Sequence, residues 1–127
     1  MPGLARRFVA EKGANLLVNL TNDAWFGDTV APRQHARLAQ WRAIETRRYL
    51  LRVTNTGLTS LINPKGEILE TLPLFSSGVL KARVALLKGE TPYVRLGDWF
   101  AWLSTLAALT IALWRRRPRL LASSLPC

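Results

Sequence analysis

A chain of 127 residues has room for one modest domain, and a hydrophobic share of 49% excludes a disordered polar polypeptide. Basic residues outnumber acidic ones by 18 to 8, and 14 of the 18 are arginine, so a polyanionic partner must be weighed, either nucleic acid or an anionic membrane surface. With one cysteine and one histidine the chain can form neither an internal disulfide nor a cysteine or histidine metal cluster, and no metal or cofactor is expected.

The elements follow in chain order. "PGLARRFVAEKG" places Leu4, Phe8 and Val9 at near-helical spacing, which predicts a helix over 3–12. Leu16, Leu17, Val18 and Leu20 form an apolar run that suits a strand at 15–21 buried on both faces. The run breaks into the polar, aromatic loop "NDAWFGD", and a loop is expected over 22–32, where strands of this kind carry their chemistry. A helix from about 33 to 49 and a strand at 50–54 follow.

Asn63-Pro64-Lys65-Gly66 then has proline second and glycine fourth, the signature of a β-turn joining two strands. "VLKARVAL" alternates Leu80, Ala82, Val84 and Leu86 against Lys81 and Arg83, the period of a half-exposed strand at 79–86. One β-α-β passage followed by a meander indicates part of an α/β sandwich with an unprotected flank.

From Trp99 to Trp114 no residue is charged, and Arg115, Arg116, Arg117 and Arg119 follow at once. As a helix these sixteen residues reach about 24 Å, short of the roughly 30 Å hydrocarbon core, yet tryptophans sit toward both ends and the arginines can extend back to headgroups. The expected organisation is a domain at 1–98, a transmembrane helix at 99–114 and a basic tail at 115–127. The arginines place the C-terminus in the cytoplasm and residues 1–98 across the membrane. The opening residues hold no apolar signal segment, so that topology calls for something upstream of Met1.

Candidates for chemistry are few. Cys127, nine positions beyond Pro118, has no base near it in sequence, and a catalytic thiol needs a structured electropositive site. Asp23, Asp28 and His35 have no spacing to Ser60 or Ser104 that supports a serine triad. His35, at the start of the second helix, is expected to line a pocket or pack on the loop. Glu45 has Arg42 and Arg48 three residues away on either side and within reach, which gives either a structural ion pair that fixes the helix against the sheet or support for a polar site beneath the loop.

The ordered set "NDAWFG", the histidine after the proline, "RAIE", "NTG" and "NPKG" resembles the C-terminal part of the apolipoprotein N-acyltransferase family, membrane-embedded members of the nitrilase, or carbon-nitrogen hydrolase, superfamily. The likeness continues through "TPYVRLGDW" into a last membrane helix with a basic tail. It implies an α/β fold, part of a nitrilase-type α-β-β-α sandwich followed by one C-terminal transmembrane helix, in the cell inner membrane with residues 1–98 on the periplasmic side. It also implies partners: a phospholipid acyl donor and the N-terminal amine of a lipoprotein's diacylglyceryl-cysteine, joined through a cysteine thioester with a glutamate base and a lysine at the oxyanion.

In that family the nucleophile precedes the helix corresponding to residues 3–12, and the base and lysine lie further upstream. No catalytic residue can therefore be assigned in this chain, which is expected to be inactive alone. Asn22, Asp23, Trp25, Phe26 and His35 are expected to shape the substrate pocket, with Glu45, Arg42 and Arg48 in support. Two other classes are weighed. A membrane-anchored interaction scaffold would need a stable partner-bound domain. A nucleic-acid-binding domain is opposed by the lack of a basic stripe interleaved with aromatics outside the tail, and no nucleic acid is expected.

Overall fold

The computed structural model describes residues 2–121, and Cys127 lies outside them. The chain divides into two compact units, Met1–Gly97 and Asp98–Cys127. In the first, α1 (Pro2–Lys12), β1 (Leu16–Thr21), a short 3-10 turn (Ala24–Phe26), α2 (Ala31–Thr46), β2 (Tyr49–Thr54), β3 (Ser60–Ile62), β4 (Ile68–Thr71) and α3 (Pro92–Leu96) follow one another. The strands form one sheet in the order β1-β2-β3-β4. β1 and β2 are parallel, with Leu17 beside Leu50 and Asn19 beside Arg52, while β2, β3 and β4 are antiparallel.

Strand alternation sorts the sheet into two unlike faces. On one, Leu17, Leu50 and Ile62 are buried under Val9 of α1, Ala39 and Ala43 of α2, and Val94 of α3. The small alanines let α2 approach the sheet closely. On the other, Val18, Leu20 and Val53 are exposed at 57%, 75% and 38%, so the expected burial of β1 on both faces is met on one only. An apolar sequence run reports a tendency to be buried, yet on that side it is Leu61 of β3, opposite Leu51, that is buried, and the β1 side chains are not. The described residues thus make one sheet layer and one helix layer of the four-layer sandwich that the resemblance implies.

Two local expectations are corrected. The second helix stops at Thr46 rather than 49, because Arg47 turns left-handed at φ 49°. The Arg47 amide donates to the Ile44 carbonyl and the Arg48 amide to that of Ala43, the paired bonds of a Schellman closure with arginine where glycine is usual. The strand expected at 79–86 is irregular chain: its alternation is real, but residues 77–91 hold no strand pairing. The turn at Asn63–Gly66 forms as read, with the Gly66 amide bonded to the Asn63 carbonyl at 2.9 Å and Gly66 at φ 85°.

In the second unit, α4 runs from Trp99 to Leu121, beyond the sixteen uncharged residues. None of the described helices is long and apolar enough to cross a membrane. The uncharged run ends at Arg115, so a longer window takes in charge.

The open face of the sheet sets an expectation for the first unit in isolation. Residues 1–98 in aqueous buffer should aggregate rather than unfold cooperatively, because Val18, Leu20 and Val53 form an apolar strip at the free β1 side of the sheet. A single reversible unfolding transition by circular dichroism, with a monomer in sedimentation, would contradict this.

Candidate functional site

Parallel pairing brings the C-terminal ends of β1 and β2 side by side, and the two loops that leave them meet there. The polar link begins with asparagines. Asn22 Oδ1 accepts from the Ala24 amide at 3.0 Å and from Asn55 Nδ2 at 2.7 Å, while Asn55 Oδ1 accepts from the Asp23 amide at 3.1 Å and the Thr56 amide at 2.9 Å. Each amide side chain thereby satisfies backbone donors that a loop would otherwise leave to water.

Beneath them Asp23 is buried at 1% exposure, opposite Arg52, also at 1%. Arg52 Nη2 donates to Asp23 Oδ2 at 2.7 Å, and Nη1 donates to Asn19 Oδ1 at 2.8 Å. Asp23 Oδ1 accepts from Thr21 Oγ1 at 3.3 Å and lies 3.0 Å from His35 Nδ1, which is itself 3.2 Å from Arg52 Nη2. A protonated Nδ1 donates to Asp23, and an unprotonated one accepts from Arg52; either tautomer ties the start of α2 to the pair. Two charges removed from water are tolerable here because each is paired and further hydrogen-bonded.

The loop is packed against this cluster from above. Phe26 meets the His35 ring edge to face at 5.8 Å between centroids. Trp25 is 85% exposed at the tip of the 3-10 turn. Gly57, just after β2, lies so close to Asp23 that a Cβ there would overlap the carboxylate, standing 2.7 Å from Cγ and 2.8 Å from Cβ. Glycine is required at this position by close approach.

Beside the cluster an open cleft of about 370 Å³ runs between α1, α2 and the sheet. Leu4, Phe8, Leu17, Leu38 and Leu50 make it apolar, and Asn19, His35, Arg42 and Arg52 supply its polar side. His35 and Arg52 belong to both features. Of the five residues expected to shape a pocket, only His35 lines this cleft; Asn22, Trp25 and Phe26 stand on the neighbouring loop and Asp23 is enclosed under it. Among the described residues no group of three or more acidic, histidine or cysteine side chains is placed to hold a metal ion.

The supporting trio divides. Arg42 pairs with Glu45 at 2.8 Å, as the helical spacing allows. Arg48 is a buried tie between segments: Nε donates to the Ala14 carbonyl at 2.8 Å, Nη2 to that of Gly89 at 2.6 Å, and Nη1 to those of Thr46 and Arg47 at 3.3 and 3.2 Å. Sequence reasoning gave Arg52, Asn55 and Gly57 no role at the loop. The spacing signal that could have found them is the "NTG" after β2, which mirrors "ND" after β1.

These contacts separate the two supports energetically. Arg48→Met should destabilise the fold by about 1–3 kcal/mol, since the buried guanidinium's bonds to the Ala14, Thr46, Arg47 and Gly89 carbonyls are all lost. Glu45→Gln, at a half-buried i,i+3 pair, should cost no more than about 1 kcal/mol. Denaturant midpoints of the full chain in detergent would check the order, and equal effects would refute it.

The sequence has counterparts in known proteins. The carbon-nitrogen hydrolase family profile matches residues 1–90. The chain is 47% identical over 111 residues to the apolipoprotein N-acyltransferase of Geobacter metallireducens, covering 87% of this chain and 21% of that protein. It is 51% identical over 85 residues to that of Nitrosomonas europaea, covering 67% and 17%, and 47% identical over 118 residues to that of Azotobacter vinelandii, covering 91% and 21%. The chain thus spans about a fifth of the length of these relatives. A family match over most of the chain, on a β-α-β unit whose strand ends carry the matched loops, settles its membership: this chain belongs to the carbon-nitrogen hydrolase family.

Proposed function

We propose that this chain is the C-terminal part of an apolipoprotein N-acyltransferase, contributing the loop and cleft side of an acyl-transfer site whose nucleophile lies on another part of the enzyme. The observation that carries the reading is the "NDAWFG" loop, held at the C-terminal edge of the parallel strands with Trp25 turned out to solvent at 85% exposure. A polar base with an exposed aromatic tip suits a site that handles an amphiphile. Asn22, Trp25, Phe26 and His35 border the place where a phospholipid acyl donor and a lipoprotein amine meet, and the apolar cleft offers a surface to a hydrocarbon chain.

No described side chain takes the nucleophile's part. Acyl transfer through a thioester needs a thiolate beside a base, and the sole thiol, Cys127, stands in the basic tail. The 127 residues alone should therefore transfer no acyl group. The whole enzyme acts at the inner membrane, and α4 inserts there: its sixteen uncharged residues are flanked by tryptophans and followed by arginines, which favour the cytoplasmic side. Local thinning of the bilayer compensates for a length of about 24 Å.

Two measurements test this. Residues 1–127 exchanged for the matching segment of the Geobacter metallireducens relative should yield a chimera that N-acylates a diacylated lipopeptide, seen by mass spectrometry. Within it Trp25→Ala should lower turnover about tenfold or more, while Cys127→Ser should leave it unchanged. A folded but inactive chimera, or loss of activity on Cys127→Ser, would refute the assignment. A reporter fused after Cys127 should be active only in the cytoplasm, and periplasmic activity would refute the orientation.

A further inference from the structure

We propose that Asp23 is a positioning residue rather than a substrate contact: with Arg52, His35 and Gly57 it forms a closed seat that sets where the Trp25–Phe26 tip stands. The proposal deepens the acyltransferase reading, on which the importance of the tip rests. Asp23 is buried at 1% and both its carboxylate oxygens are engaged, Oδ2 by Arg52 at 2.7 Å and Oδ1 by Thr21 and His35. No face of it is left for a ligand.

Its contacts run in three directions. Arg52 belongs to β2 and Gly57 to the turn that directly follows it, while His35 belongs to α2, so the carboxylate joins the end of β2 and its turn to the start of α2. The tip is built directly on it. Its carbonyl accepts from the Phe26 amide at 3.1 Å, and its amide is bonded to Asn55 at 3.1 Å. His35, held by the carboxylate, in turn supports the Phe26 ring. A shift of the carboxylate therefore moves both the backbone entry and the aromatic floor of the tip.

Gly57 gives an independent handle, because Gly57→Ala leaves every charge in place and the atoms its Cβ meets first all belong to the Asp23 side chain. Asp23→Asn is nearly isosteric but removes the charge and turns one of the two accepting oxygens into an amide donor, so one of the bonds from Arg52 or Thr21 is lost. Arg52→Met is less suitable, since it strands a buried carboxylate and risks the fold.

The test is amide exchange on the full chain in detergent. In Gly57→Ala and in Asp23→Asn, protection of the Ala24, Phe26 and Gly27 amides should fall about tenfold or more, while that of β2 and of the middle of α2 stays within about threefold. Unchanged protection at 24–27 would overturn the proposal. So would an equal loss across β1, α2 and β2, which would make Asp23 an ordinary core group. This measurement needs no catalysis, so it stands apart from the acyltransferase assignment.

In the active chimera, Asp23→Asn and Trp25→Ala should each slow transfer and the double variant should be no slower than the worse single one, because the first acts through the second. Additive losses would show that Asp23 acts without the tip. An inactive chimera with selective loosening at 24–27 would refute the acyltransferase reading and leave the seat standing.

Discussion

Parallel strands cannot be joined by a tight turn, so the chain leaving β1 must travel back along the sheet before β2 begins, and α2 is that return path. Both strands then end at the same edge of the sheet. Asn22 and Asn55, 33 positions apart in sequence, become hydrogen-bonded neighbours, and Asp23 comes within reach of Arg52. The helix also delivers His35 to that edge near its own start. The cluster under the loop is thus a consequence of strand direction, while the alanine face of α2 decides how close the helix lies.

What could be read in advance was local. The Asn63–Gly66 turn, the end of α1 at Lys12 and the end of β1 at Thr21 each depend on residues within a few positions of one another, and each is found where the pattern places it. The loop after β1 was legible as the place for chemistry because an apolar run ended abruptly in polar and aromatic residues. Its partner was not: Arg52 lies 29 residues from Asp23, on another strand, and by sequence proximity it reads as one more arginine around Glu45. Helical spacing found the Arg42–Glu45 pair and could not foresee that Arg48 would cap carbonyls from the chain before β1 and from the segment before α3.

The alternation at 79–86 shows the converse. A period of two says which side chains would share a face, but a strand also needs a neighbour for its backbone, and residues 79–86 pair with none of the described strands. Arg47 is a similar case at a single residue. Nothing in its identity suggests a left-handed backbone, and the closure of α2 instead follows from the two carbonyls it satisfies and the turn needed to start β2.

The contact between Gly57 and Asp23 bears on how such a sequence can drift. Any side chain at position 57 collides with the carboxylate, so the first substitution there is accepted only after residue 23 has become smaller or moved. A smaller residue at 23, in turn, leaves Arg52 without its counter-charge. The three positions are therefore bound in one evolutionary unit, and a lineage that abandons the aspartate should be found to have rewritten all three together.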